Sequence, residues 1–146
     1  MKVRDIMTED PTCCTPSTGL QEVAKMMLDC DCGCIPVVDS EDSRMPVGMI
    51  TDRDITCRVV AQGRNPLELT AADAMTSTVL SVTPDTSLDE CLDLMEDGQV
   101  RRIAVVDENG AVCGILAQAD IAMHAKDRQT AEVVQEVSRA SGSGTA

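Results

Sequence analysis

The stretch Gly48-Met49-Ile50-Thr51-Asp52-Arg53-Asp54-Ile55 reads as the end of a buried strand running straight into a helix. Gly48, Met49 and Ile50 are strand-like and mostly apolar, and Thr51 or Asp52 then offers an N-cap oxygen. A new helix N-terminus presents free N–H groups and the positive end of the dipole, so it suits a phosphate or another anion. Thr51 adds a hydroxyl, Arg53 adds a fork of donors, and Asp54 is placed to accept from a pair of sugar hydroxyls. No activated nucleophile is present, so the stretch fits holding a ligand and not transforming it. On these residues alone, plain capping is the simpler reading, because it needs no ligand.

The same stretch exposes a repeat. Met7-Thr8 superposes on Met75-Thr76 at a displacement of 68, which also carries Thr15-Pro16 onto Thr83-Pro84 and Ile35-Pro36-Val37-Val38-Asp39 onto Ile103-Ala104-Val105-Val106-Asp107. The displacement then drops to 66, where Gly48 meets Gly114 and Asp54-Ile55 meets Asp120-Ile121. The lost pair falls in the loop Ser40–Met45, where a length change costs little. A period this long indicates two duplicated small units and not a solenoid.

Each copy carries the order β-α-β-β-α. A short strand around Thr12–Thr15 ends at Pro16, and Ser17-Thr18 is expected to cap a helix with Leu20, Val23, Ala24, Met27 and Leu28 on one face. In the second copy Ser87 and Glu90 read as a capping box, ahead of a stripe of Leu88, Cys91, Leu92 and Met95. Strands follow at Ile35–Val38 and Ile103–Val106, with a hairpin signal at Asn109-Gly110. Third strands, Val47–Ile50 and Val112–Leu116, lead into closing helices near Asp52 and Gln118. Val3–Met7, and Thr70 with Asp73, form short helical lead-ins. A last helix is expected around Ala131–Val137, with a frayed tail at Ser141–Ala146. The expected units are 1–66, 67–126 and a terminal 127–146, and the fold class is α/β (α+β).

The composition narrows the function. The 146 residues include no Phe, Trp or Tyr, so the core must be aliphatic and no base can stack on an aromatic ring. A net charge of −13, from 12 basic and 25 acidic residues, argues against nucleic acid or an anionic membrane as partner. No apolar run approaches the length of a membrane span, and the N-terminus lacks an apolar signal core, so a cytoplasmic protein is expected. Eight cysteines are many for that compartment, and a disulfide framework is disfavoured there. In the repeat alignment Cys14 stands opposite Val82, Cys32 opposite Val100, Cys91 opposite Val23, Cys113 opposite Val47 and Cys57 opposite Met123. These five read as small buried apolar residues. A metal site on Cys13, Cys30 or Cys34 has no spacing to support it, since CxxC pairs are missing and His124 is the single histidine.

With both copies aligned, the chain resembles the tandem CBS-domain family, the CBS pair or Bateman module, over roughly residues 3 to 124. The carrying residues are Ile35-Pro36-Val37-Val38-Asp39, the Gly48–Asp54 junction, Val100-Arg101-Arg102-Ile103-Ala104-Val105-Val106-Asp107 and Gly114–Asp120. It looks like the small standalone bacterial CBS-pair proteins, including the hypoxic or stress-response type. The resemblance implies two β-α-β-β-α units packed sheet to sheet about a pseudo-twofold axis, with adenosine-containing ligands in two clefts and pairing into a homodimer. Carried over, one cleft would hold Met49, Thr51, Arg53 and Asp54 against Thr83, Arg101, Arg102, Ile103 and Ala104. Asp54 would take the ribose; Thr51, Arg53 and the Arg pair would take phosphate. The other cleft would hold Asp120 with Thr15, Ile35, Pro36 and Val37, but Ala117 and Ala119 replace the Thr and Arg, and Gly33-Cys34 replace Arg101-Arg102. Each lost charged hydrogen bond forfeits about 1.5–3 kcal/mol, so one competent nucleotide site is expected, at Thr51 and Asp54.

The favoured function is a non-catalytic sensor with no required cofactor. An adenosine nucleotide would be its regulatory ligand and a separate, unidentified effector protein its partner. The alternative is a stress-response structural or interaction protein that binds no nucleotide and uses its cysteines for metal or redox chemistry. An enzyme is disfavoured: there is one histidine, no nucleophile elbow and no phosphate-cradling glycine loop.

Overall fold

The computed structural model describes residues 1–77 and 79–125. The helix expected around Ala131–Val137, the tail and the third unit lie outside the described residues. The first half carries a 3-10 turn (Val3–Asp5), β1 (Thr8–Glu9), α1 (Leu20–Cys30), β2 (Cys34–Val38), β3 (Pro46–Thr51) and α2 (Asp52–Ile55), which widens into a π-helical turn at Thr56–Val60. The second half carries a 3-10 turn (Pro66–Glu68), α3 (Ala71–Ala74), β4 (Ser81–Val82), α4 (Leu88–Asp97), β5 (Arg102–Val106) and β6 (Val112–Ala117). A final helix, α5, covers 118–125.

The repeat is preserved at the level of strand register. Cys34 faces Thr51 in the β2–β3 pair, and Arg102 faces Ala117 in the β5–β6 pair. Both pairs slip by a bulge at the same place, after Val37 and after Val105. The first strand of each copy is unequal. In the second half it is β4, parallel to β5; in the first half it shrinks to one parallel bridge between Cys14 and Val37.

The lead-ins change sides. β1, from the first copy, pairs antiparallel with β6 of the second and completes a four-stranded sheet ordered β1-β6-β5-β4. Lys2 and Arg4 fix this segment through ion pairs to Asp85. The second copy's lead-in returns the exchange. Thr76 and Met49 trade backbone hydrogen bonds of 2.8 and 2.9 Å, and the Ala71 N–H donates to the Thr18 carbonyl at 2.8 Å. The cores record the swap. Ala71 and Ala74 pack with Leu20, Val23, Ile35 and Ile50, whereas Val3 packs with Leu88, Met95, Ile103 and Leu116. β2 of the first half also meets β6 of the second, so the two sheets share one seam.

Several local expectations are corrected. Gly19, not Ser17 or Thr18, is the N-cap of α1, because the Thr18 hydroxyl is already taken by the Thr15 N–H at 3.0 Å. On α1, Leu20, Val23 and Met27 are buried, but Ala24 is exposed and Leu28 is 80% exposed. The sheet covers only the narrow i, i+3, i+7 seam of that helix. Ser87 does cap α4, accepting from the Glu90 N–H at 3.2 Å. Cys14 and Cys91 are buried as apolar replacements, and Cys113 packs at the core edge, but Cys57 is exposed, as is its counterpart Met123. Disulfides were disfavoured on compartment grounds, yet Cys30 and Cys32 are joined. The joining follows from Asp31, whose left-handed backbone (φ 52°) ends α1 and folds the chain back on itself.

Candidate functional site

Thr51 ends β3 in extended conformation, so its side chain is free to close α2. Its Oγ1 accepts from the Asp54 N–H at 3.0 Å, and Asp54 Oδ2 accepts from the Thr51 N–H at 3.0 Å, a reciprocal capping box. Asp54 Oδ1 lies 3.7 Å from Arg58 Nε one turn on. The simple capping role is therefore real, and one carboxylate oxygen is committed to it. In the second copy Ala117 has no hydroxyl, and only half of the box survives, the Ala117 N–H donating to Asp120 Oδ2 at 3.2 Å. Thr51→Ala should consequently lower stability by about 1 kcal/mol, read as the midpoint of urea unfolding. An unchanged midpoint would mean the box adds nothing.

Around this junction lies a cavity of about 580 Å³ between the copies. Met49, Thr51, Arg53 and Asp54 of the first copy meet Arg101 and Arg102 of the second across it. The swapped lead-in closes one side with Thr76 and Val79, and Cys34 forms part of the floor. Three guanidiniums thus gather at one hollow in a chain of net charge −13. Among the described residues, the ion pairs involve Lys2, Arg4, Arg44, Arg58 and Arg64, and none engages Arg53, Arg101 or Arg102.

The expected partners Thr83, Ile103 and Ala104 do not line this cavity. Ile103 packs in the second core and Ala104 is buried on the opposite face of β5, so the strand is covered on both faces. Thr83 sits in the turn after β4, where its hydroxyl meets that of Thr86 at 3.2 Å. Sequence reasoning missed Thr76, Val79, Leu80 and Gln99. The repeat carries a signal for them, since the symmetry partners of Thr76, Val79 and Leu80 line the second cleft.

That second cleft is real but small, about 190 Å³. Asp120 lines it, with Ala117, Ile115, Thr8 and three cysteines, Cys30, Cys32 and Cys34. Thr15, Ile35, Pro36 and Val37 do not. Ile35, Pro36 and Val37 are buried in β2, and Thr15 faces a separate hollow beside Cys13 and Arg44. Small-molecule pockets run about 300–1,000 Å³, so the first cavity falls in the range and the second below it. Arg102 and Cys34 are common to the walls, each lining both cavities. Burial pushes the Cys34 thiol up to about 11 against the opposing pull of Arg102, so it stays protonated. It donates to Met49 Sδ at 3.7 Å.

Two αβ repeats that exchange their lead-ins and enclose cavities at their junction define a tandem-repeat, cleft-bearing module. The chain belongs to the CBS domain family, whose model matches residues 3–60 and 71–127. It is 38% identical over 118 residues to the uncharacterised protein MK0525 of Methanopyrus kandleri, covering 81% of this chain and spanning 57% of that protein's length. It is 35% identical over 134 residues to Hypoxic response protein 1 of Mycobacterium tuberculosis, covering 92% of each chain. The solved structure of Hypoxic Response Protein I with two coordinated zinc ions superposes with a TM-score of 0.72, at 35% identity, over 85% of this chain and 98% of that one. The CBS domain pair of MJ0100, solved in complex with 5-methylthioadenosine and S-adenosyl-L-methionine, gives a TM-score of 0.77 at 26% identity over 88% of this chain and 98% of that one. Among the described residues, no helix is long and apolar enough to cross a membrane.

Proposed function

We propose that this chain is a non-catalytic regulatory module that takes an adenosine-containing ligand, AMP, ADP, ATP or a relative, in the larger cavity and signals to a separate effector protein in the cytoplasm. The observation that carries this reading is the trio of guanidiniums, Arg53, Arg101 and Arg102, drawn from both copies around one hollow beside the α2 N-terminus and engaged in no ion pair among the described residues. Anionic groups gain charge-assisted, forked hydrogen bonds there. Asp54 Oδ2 caps the helix, and Oδ1, 3.7 Å from Arg58 Nε, retains acceptor capacity for a sugar hydroxyl. The adenosine ligands of the MJ0100 pair support the choice of nucleoside. A ligand that touches both copies changes their relative setting by its difference in affinity for the two arrangements. Exposed Ala24 and Leu28 on α1 support association with a second copy of the chain.

Calorimetric titration with AMP, ADP and ATP, beside 5-methylthioadenosine, tests the reading. An Arg101→Ala/Arg102→Ala variant is the informative comparison, because Asp54→Ala would also remove a helix cap. Each lost charged hydrogen bond should weaken a phosphorylated ligand by roughly tenfold or more, and leave 5-methylthioadenosine nearly unaffected. No binding by the unaltered chain to any of the four, or equal nucleotide affinity in the variant, would overturn it. Without Phe, Trp or Tyr, bound adenine would dominate the ultraviolet absorbance, a second readout. Among the described residues, no group of three His, Cys, Asp or Glu is placed to hold a metal.

A further inference from the structure

We propose that Cys30 and Cys32 form a thiol–disulfide exchange site at the mouth of the smaller cavity, where a low-molecular-weight thiol bearing a carboxylate reacts with the protein. The proposal is independent of nucleotide binding.

The pair stands on a turn that does not need it. Asp31, between the two cysteines, is left-handed at φ 52°, and its counterpart Gln99 in the second copy is left-handed at φ 53°. The Cys32 N–H donates to the Met27 carbonyl, and the Val100 N–H to the Met95 carbonyl, both at 3.0 Å. The second copy makes this turn with Gly98 and Val100, so reduction leaves the backbone in place and changes only the wall of the cavity. The Cα atoms of Cys30 and Cys32 are 5.3 Å apart, inside the ordinary disulfide range.

The surroundings assign the roles. Cys30 is exposed and open to attack, whereas Cys32 is half-buried against the first core. Cys34 lines the same cavity, but it is buried and bonded to Met49, so the attacking thiol comes from outside. Arg102, which also lines this cavity, offers a partner for the carboxylate of the incoming molecule.

The exchange balances. A thiolate attacks Cys30 Sγ, a sulfur–sulfur bond forms there, and the Cys30–Cys32 bond breaks. Cys32 leaves as a thiolate and takes a proton from water. A second thiolate attacks the outer sulfur of the mixed disulfide and frees Cys30. Two small thiols are oxidised to their disulfide, and the protein pair is reduced by two electrons.

Reduced and oxidised glutathione are the probe. The chain is equilibrated at a fixed ratio of the two and at two total concentrations, quenched in acid, alkylated and peptide-mapped. An internal disulfide depends on the square of the reduced glutathione concentration, a mixed disulfide on the first power. A tenfold dilution at fixed ratio should therefore raise the disulfide-to-dithiol ratio of Cys30 and Cys32 by ~10-fold, leaving adduct on exposed Cys57 unchanged. Cys32→Ser should trap glutathione on Cys30. The dilution result needs no variant, so it stands even if Cys32→Ser does not fold. Oxidation of Cys30 that tracks Cys57 on dilution, or a Cys30 disulfide to a different cysteine, would overturn the proposal.

Discussion

Gly48→Val should be among the most damaging single changes in the chain, lowering stability by about 3 kcal/mol and opening the larger cavity. A Cβ at this position would meet the Thr76 carbonyl oxygen at 2.8 Å and Met75 Sδ at 2.9 Å. The first is backbone and cannot swing away. It belongs to the returning lead-in, whose two hydrogen bonds to Met49 close one side of the cavity that Thr76 and Met49 line. Overpacking in a fitted interior costs 1–3 kcal/mol, and the loss of this edge adds to it. Gly114→Val should cost less, about 1 kcal/mol. There the nearest atom is Met7 Sδ at 2.7 Å, a flexible side-chain end, and the Thr8 carbonyl stands off at 3.2 Å. Gly19→Ser, at a position with nothing within 4 Å, should be neutral within a few tenths. Urea unfolding of the three variants orders them. Equal costs at Gly48 and Gly19 would show that the swapped edge contributes nothing.

Alkaline pH should destabilise the fold steeply. Burial pushes the Cys14 thiol up to about 12 and the Cys34 thiol up to about 11, from an ordinary 9.0. Below pH 9 both are protonated in the folded and the unfolded chain, and stability does not depend on them. Between pH 9 and pH 11 the unfolded chain releases both protons while the fold retains them, so stability falls as pH rises. Each pH unit costs up to about 1.4 kcal/mol per thiol, on the order of 5 kcal/mol in all by pH 11, comparable with the whole stability of a small domain. Cys14→Val should remove its share and raise the alkaline midpoint, because Val82 already occupies the equivalent buried place in the second copy. An alkaline midpoint unmoved by that substitution would refute the assignment.

The repeat made much of the site readable in advance. Element order, the hairpin at Asn109-Gly110 and an N-cap at Thr51 follow from local chemistry, and local chemistry is written in neighbouring residues. Arg53, Arg101 and Arg102 could be placed at one cleft only through the family resemblance, since Arg53 and Arg101 are far apart in the chain. The residues that do not line the expected clefts were carried over by motif. For Ile35, Pro36, Val37, Ile103 and Ala104, whether a strand residue faces a cleft or a core depends on what covers each face of its sheet, whereas Thr15 and Thr83 lie just outside the strands. Leu28 fails in the same way, apolar by pattern yet left uncovered.

The sequence by itself determined that there are two copies, where most of their strands and helices run, and that one copy carries Thr51 and Arg53 where the other carries Ala117 and Ala119. Those properties depend on residue type and short-range spacing. Only the tertiary structure decided that the lead-ins trade places, that Cys34 and Arg102 serve two cavities at once, and that Cys30 closes on Cys32 at the mouth of the smaller one. These depend on contacts between segments distant in the chain, or on a single left-handed residue, Asp31, whose type allows but does not dictate that backbone.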